Sequence, residues 1–255
     1  MIERIWAWLI ASSSWVGPDG IGARLGEHVL FSVVVVAAAI VVGVPLGLWI
    51  GHLGRGRWLI AAANAARAVP TLGLLFALAL WVGPHIPGRW AFVVPSLVAL
   101  LLLAIPPVLA GTYAGVEAID PAVRDAARAM GMSPLRVIRQ VELPNAMPLV
   151  LSGVRSAMLQ VVATATIAAY VGLGGLGRFL VDGLASGNYP MTAGGAILVA
   201  ALALVIDAVL ALAQRLLVPA GLRVRGADGG RESEASGRHT GNPASAGDPT
   251  VSPAR

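Results

Sequence analysis

The sequence contains no cysteine and no lysine, and only 12% of its 255 residues are charged. Each shortage excludes something. Without cysteine there is no disulfide and no thiolate metal site. Without lysine there is no phosphate-binding loop of the ATPase kind, whose lysine reaches the nucleotide phosphates. A soluble domain carries about twice this charge fraction, so a fold held in water by a polar shell is a poor fit. The four histidines are scattered without metal-ligand spacing, and neither G-x-S-x-G nor H-E-x-x-H occurs.

What is present is hydrophobicity gathered into runs, 57% of the chain in all. About 20 apolar residues cross a bilayer as a helix. The pattern predicts an all-α integral membrane protein with five spans, near residues 28–50, 59–82, 92–114, 147–171 and 194–217. Pro45, Pro70, Pro95, Pro106, Pro107 and Pro148 fall in or beside them, and prolines in lipid mark kinks. Abundant glycine and alanine permit close helix approach.

All 18 basic residues are arginine, and they are unevenly placed. Arg55, Arg57, Arg67, Arg124, Arg128, Arg136, Arg139, Arg155, Arg215, Arg223, Arg225, Arg231, Arg238 and Arg255 belong to one side of a five-span topology. Only Arg4, Arg24, Arg89 and Arg178 belong to the other. The bias predicts that the first set is cytoplasmic, with the N-terminus outside and the C-terminus inside. It also answers the formal charge of +5: the arginines read as topology, not as a nucleic-acid surface. Trp49, Trp58, Trp81 and Trp90 flank loops as an aromatic belt does. Residues 1–24 read as an external segment with Trp6, Trp8 and Trp15 at the headgroups, in preference to a cleaved signal peptide. The body is residues 25–218. Residues 219–255, rich in Gly, Ser, Pro and charge, read as a disordered cytoplasmic tail.

Between the third and fourth spans lies a charged elbow, "DAARAMGMSPLRVIRQVELP". Asp120-Pro121 is a helix start, an N-cap acid followed by proline at the first helical position. Val123, Ala126, Ala127 and Met130 then share a face. Gly131 supplies a left-handed stop. Ser133-Pro134 starts a second short helix carrying Leu135, Ile138 and Val141, and Pro144 is expected to end it. The plain alternative is a solvated loop whose arginines only fix topology. Two capped helices with a small-residue stripe are more order than that requires, and such a stripe suits a groove on a partner.

These residues resemble the EAA loop of ABC importer permeases. Asp125, Ala126 and Ala127 match its acid and two alanines, with Gly131, Val141, Leu143 and Pro144 at the family's spacing; Asp replaces Glu, and Val replaces Ile. The resemblance covers about residues 25–217. It implies a type I importer core whose coupling loop, residues 120–144, docks into a separate cytosolic ATPase, which would hold ATP and Mg. It also implies a substrate-binding protein outside and a second permease subunit, identical or sister. "NAARAVPTLGLLFAL" and "TATIAAYVGLGGLG" are similar to permeases for quaternary-amine osmoprotectants: glycine betaine, choline, carnitine and proline betaine. Permeases for methionine and other small solutes share the same core. From other classes, an intramembrane enzyme lacks a nucleophile or metal cluster here, and an osmotically gated channel needs no elbow.

Three further features need placing. "GLGGLG", residues 172–177, matches the dinucleotide fingerprint but follows no strand, so it reads as a tight turn. Asp207 is the one acid deep in a span and needs a partner; Arg155 is the first candidate by depth and Arg67 the second. Asn64, Thr71, Thr164, Thr166 and Tyr170 are candidate lining for a solute path, where an aromatic could attract a methylated ammonium. The competing role of the threonines is to bond their own backbone.

Overall fold

The computed structural model describes residues 1–217, and every regular element among them is helical. Helix α1 (Ile2–Ile10) and the single turn α2 (Ser12–Trp15) precede the first long helix, α3 (Ile21–Leu53). Two shorter helices follow, α4 (Arg57–Ala66) and α5 (Thr71–Val82). Then come α6 (Trp90–Glu117), the elbow helices α7 (Pro121–Ala129) and α8 (Pro134–Val137), and α9 (Leu143–Ala168). The described part ends with α10 (Gly177–Ala185) and α11 (Tyr189–Leu217). Four of these helices are long and apolar enough to cross a membrane, or five if α4 and α5 count as one broken span. The expected tail, 219–255, lies outside the described residues.

Helix α3 runs well past its expected bounds, and α6, α9 and α11 begin two to five residues before theirs. At 1.5 Å per residue, α3 with its 33 residues is about 50 Å long, against a hydrocarbon core of about 30 Å. The second span departs most from expectation. It is not one helix over 59–82: α4 and α5 meet at 90° across the break between them. Pro70 is the cause. It has no amide to continue the α4 ladder and pushes Val69 out of the helical region, and α5 restarts immediately after it with Pro70 itself as N-cap.

Helix α6 is the core of the body. On one side its Val108, Thr112 and Val116 meet Gly43, Gly47 and Gly51 of α3, both sets at a four-residue spacing. A β-carbon on Gly47 would lie 2.6 Å from Cβ of Thr112, and one on Gly51 2.7 Å from Cβ of Val116. On the other side Gly111 and Gly153 let α6 and α9 touch backbone to backbone, a β-carbon on Gly111 falling 2.7 Å from the Leu149 carbonyl oxygen. Between membrane helices, dispersion at such short range and hydrogen bonding are the main attractions, since lipid removes the hydrophobic one.

Several polar groups on the long helices are met from within the chain. Pro107 leaves the Leu103 carbonyl without its amide donor, and Gln160 of α9 supplies one, Nε2 donating at 3.2 Å. Arg67 donates to the same glutamine's Oε1 at 3.4 Å. Arg155 meets Asp207 side on, Nε to Oδ1 at 2.6 Å and Nη2 to Oδ2 at 2.7 Å, a fork-to-fork ion pair that joins α9 to α11. Gln214 Nε2 donates to the Pro148 carbonyl at 3.2 Å, a second α9–α11 tie.

At the N-terminus, Trp8 packs within the chain. It is half-buried and stands edge-on to Phe179 of α10, centroids 5.3 Å apart. Trp6 and Trp15 are exposed, although Trp15 Nε1 donates to the Leu9 carbonyl at 2.7 Å.

Two outcomes follow. Gly47→Leu forces α3 away from α6 and destabilises by at least about 1–3 kcal/mol, read as a lower melting temperature in detergent, while Gly26→Leu, where a β-carbon meets nothing within 4 Å, leaves it unchanged. Asp207→Asn and Arg155→Gln each lower the melting temperature, and the exchange Arg155→Asp with Asp207→Arg recovers most of the loss; an exchange that behaves like the sum of two unrelated changes dismisses the pair.

Candidate functional site

The elbow is built from local rules. Asp120 caps α7 with a carboxylate oxygen 2.9 Å from the Ala122 amide, and Pro121 follows at the first helical position. The helix closes on Gly131, at φ +79°. The Met132 amide reaches back to the Ala127 carbonyl and the Gly131 amide to that of Arg128, the double bond pattern that ends helices on a left-handed residue. Ser133 precedes Pro134 but makes no capping bond with its side chain.

Pro144 does not end the second helix. After α8 the chain makes one wide turn over Ile138–Glu142, with the Leu143 amide bonded to the Ile138 carbonyl five residues back, and runs straight into α9. A turn of this width absorbs the missing proline amide. The elbow's second half is therefore the first part of the fourth span, not a hinge before it.

The helical stripe divides differently from expectation. Ala127 is 2% exposed and turns into the chain's own body, so it is not open to a partner. Val141 and Leu143 are half-buried, and Leu143 packs with Ile138 on Leu48, Val116, Ala146 and Val150. What faces outward is Val123, Ala126, Met130 and Leu135, Met130 being 74% exposed. Asp125, Gly131 and Pro144 are exposed as well. Asp125 pairs with Arg128, Oδ1 to Nη1 at 3.5 Å. Beside them, Ser133, Leu135, Arg136, Arg139 and Gln140 line a notch of about 250 Å³.

Beneath the elbow lies a group the sequence reading passed over. Glu142 is fully buried. Nδ1 of His52, from the last turn of α3, lies 3.0 Å from both its carboxylate oxygens. Nε of Arg124, on α7, lies 3.3 Å from Oε1, and Nη2 of the same arginine donates to the Val116 carbonyl on α6. The available signal was position: Glu142 stands four residues after Ile138, on the apolar side of the helix, where a lone acid must find partners.

The other end of the bundle carries the glycine run. Glu27 Oε2 accepts from the Gly175 amide at 2.9 Å and from Arg24 at 2.9 Å. His28 is buried, with Nδ1 accepting from the Leu176 amide at 3.3 Å and Nε2 donating to the Val162 carbonyl at 3.1 Å. Gly172 and Gly175 have φ of +94° and +85°. The run is a turn locked onto α3 through its Gly175 and Leu176 amides.

The candidate path residues do not form one group. Asn64 is exposed on α4 and Thr71 is half-buried just past the corner. Thr164 and Thr166 donate to their own helix, at 2.7 Å to Gln160 and 2.6 Å to Ala163. Tyr170 leaves α9 in a short 3-10 turn over Ala169–Val171 and borders a cavity of about 410 Å³. Phe76, Leu80, Phe92, Gly172 and Arg178 also line it. Two of the chain's four phenylalanines thus share that cavity with a tyrosine. The charge of Arg178 is answered by Asp182, Nη2 to Oδ1 at 2.5 Å.

The chain is similar to known proteins. The chain is 34% identical over 200 residues, 77% of its length and 88% of the relative's, to the choline transport system permease protein OpuBB of Bacillus subtilis (strain 168). It is 33% identical over 203 residues, 78% of its length and 89% of the relative's, to that organism's glycine betaine/carnitine/choline transport system permease protein OpuCB. Against the osmoprotectant import permease protein OsmW of Salmonella typhimurium it is 32% identical over 201 residues, 77% of its length and 91% of the relative's. In fold it matches a chain of the MetNI methionine ABC transporter solved in an inward-facing conformation, at TM-score 0.66 and 24% identity over 78% of this chain and 96% of that one. The family described as binding-protein-dependent transport system inner membrane component matches residues 43–221. With that match spanning most of the body and the elbow inside it, the chain belongs to the inner membrane components of binding-protein-dependent transport systems, as a multi-pass permease subunit of an ABC importer.

Proposed function

We propose that this permease moves a quaternary-amine compatible solute, of the glycine betaine, choline, carnitine or proline betaine kind, by ATP-driven alternating access. Two such bundles, identical or sister, enclose the path. A cytosolic ATPase holding ATP and Mg docks on each elbow, and a loaded binding protein delivers solute at the opposite face. The arginine bias supports an elbow and C-terminus in the cytosol and an N-terminus outside. No bond to the solute is made or broken by this chain.

The observation that carries the reading is the elbow: a stiff, capped helical unit whose outward apolar residues have no partner within the described chain while its inward ones are fixed to three spans. An ATPase that closes on nucleotide has there a rigid handle. The substrate class is supported by the relatives' names and by the cavity of Phe76, Phe92 and Tyr170. A methylated ammonium has no proton to donate and is well held by aromatic faces. Pairing with Asp182 keeps Arg178 from repelling it.

The reading is tested with the complete transporter in vesicles. Uptake of radiolabelled choline and glycine betaine requires ATP and the binding protein; uptake of methionine in their place, or downhill flux without ATPase, overturns it. Met130→Glu weakens retention of the ATPase in detergent about tenfold, about 1.4 kcal/mol, and lowers uptake in proportion. Tyr170→Ala and Phe76→Ala each raise the half-saturating solute concentration about fivefold, the equivalent of about 1 kcal/mol of lost cation–π attraction, whereas Tyr170→Phe stays near wild type.

A further inference from the structure

Glu142 is buried completely, yet it is an acid, and it is met by groups from two other elements. Its carboxylate touches His52 at the end of α3 and Arg124 on α7, and Arg124 reaches on to the Val116 carbonyl in the last turn of α6. The residue itself stands in the wide turn that opens α9. One side chain therefore lies where the elbow and three long helices meet.

Packing alone does not require this. Leu48, Val116, Ala146 and Val150 already form an apolar cluster at the same level, and an apolar residue at 142 would extend it. An acid there has a desolvation cost that only good partners offset. In return, a buried carboxylate with the His52 ring nitrogen 3.0 Å away and the Arg124 guanidinium 3.3 Å away ties two elements at one point, where greasy surfaces are free to slide. The elbow's other inward side chains, Ala127, Val137, Ile138 and Leu143, are all apolar.

We propose that Glu142 is the positioning residue of the coupling step: it makes α7, the start of α9 and the ends of α3 and α6 move as one body when an ATPase shifts the elbow. The proposal rests on the permease reading above. Displacing α7 pulls Arg124; Arg124 carries the carboxylate and the Val116 carbonyl with it; the carboxylate carries His52. With the joint cut, the elbow still docks and nucleotide is still hydrolysed, but the spans follow incompletely.

The test uses the whole transporter, with binding protein and ATPase, in proteoliposomes. Solute uptake and ATP hydrolysis are measured on the same vesicles and normalised to assembled complex. Glu142→Gln is expected to keep assembly and hydrolysis and to lower solute moved per ATP about tenfold, within the range of coupling between distant sites. Because the chain has no native cysteine, Arg128→Cys with Leu53→Cys provides a clean pair of spin labels on α7 and α3. Their distance distribution is narrow throughout the ATP cycle in the otherwise unaltered protein and broadens in Glu142→Gln. A merely structural role lowers uptake and hydrolysis together, in step with the amount assembled, and leaves the distribution narrow; that result, or an unchanged uptake-to-hydrolysis ratio, overturns the proposal. If Glu142→Gln does not assemble, His52→Ala, which cuts only the α3 arm, decides on the same two readouts. Should the unaltered complex itself show no ATP-dependent uptake, the permease reading fails, and not the joint alone.

Discussion

Hydrocarbon offers no hydrogen bonds, so every polar group the chain takes into lipid has to be answered by the chain or by water that it admits. That constraint explains side chains which would otherwise look arbitrary. Gln160 is there because Pro107 strips the Leu103 carbonyl of its donor. Arg155 and Asp207 are there together, since either alone would be expensive in a span. His28 is spent on both sides of its ring, holding the Leu176 amide and the Val162 carbonyl. Glu142 obeys the same rule among His52 and Arg124. Apolar surface gives the helices a reason to be in the bilayer, but these pairings and the glycine contacts decide which helix lies against which.

The two halves of the elbow illustrate how far one pattern can serve two purposes. Residues at helical spacing share a stripe, but a stripe is wide enough to be split. Ala127 and Leu143 face inward and fasten the unit; Ala126, Met130 and Leu135 face outward and remain for a partner. The elbow motif therefore mixes inward-facing residues with outward-facing ones, and only the local burial separates them.

Much of this was legible in the residues. Hydropathy located the long helices, Asp120 and Gly131 located the ends of α7, and depth alone proposed Arg155 for Asp207. What was missed has a common cause. A run of apolar residues gives the same hydropathy whether or not the chain turns in the middle, so the right angle at Pro70 was hidden within a single expected span. Likewise, the rule that proline ends a helix is local, and the wide turn that accommodates Pro144 is imposed by packing. Glu142 was overlooked because its partners come from 90 and 18 residues away in sequence, beyond any local periodicity. The GxxxG-like spacing of Gly43, Gly47 and Gly51 was visible; the matching row Val108, Thr112, Val116 was not, since it acquires meaning only once α3 and α6 lie together.

The corner between α4 and α5 has a consequence for how the protein meets the bilayer. Two helix ends at one point leave several carbonyls and amides beyond the reach of their own ladders; the Arg67, Ala68 and Val69 amides close only short turns back to Asn64, Ala65 and Ala66. Acyl chains cannot solvate such a place. The Arg67–Pro70 corner must therefore look toward protein or toward water, which limits how the bundle can be rotated about the membrane normal: lipid cannot cover the side that bears the corner.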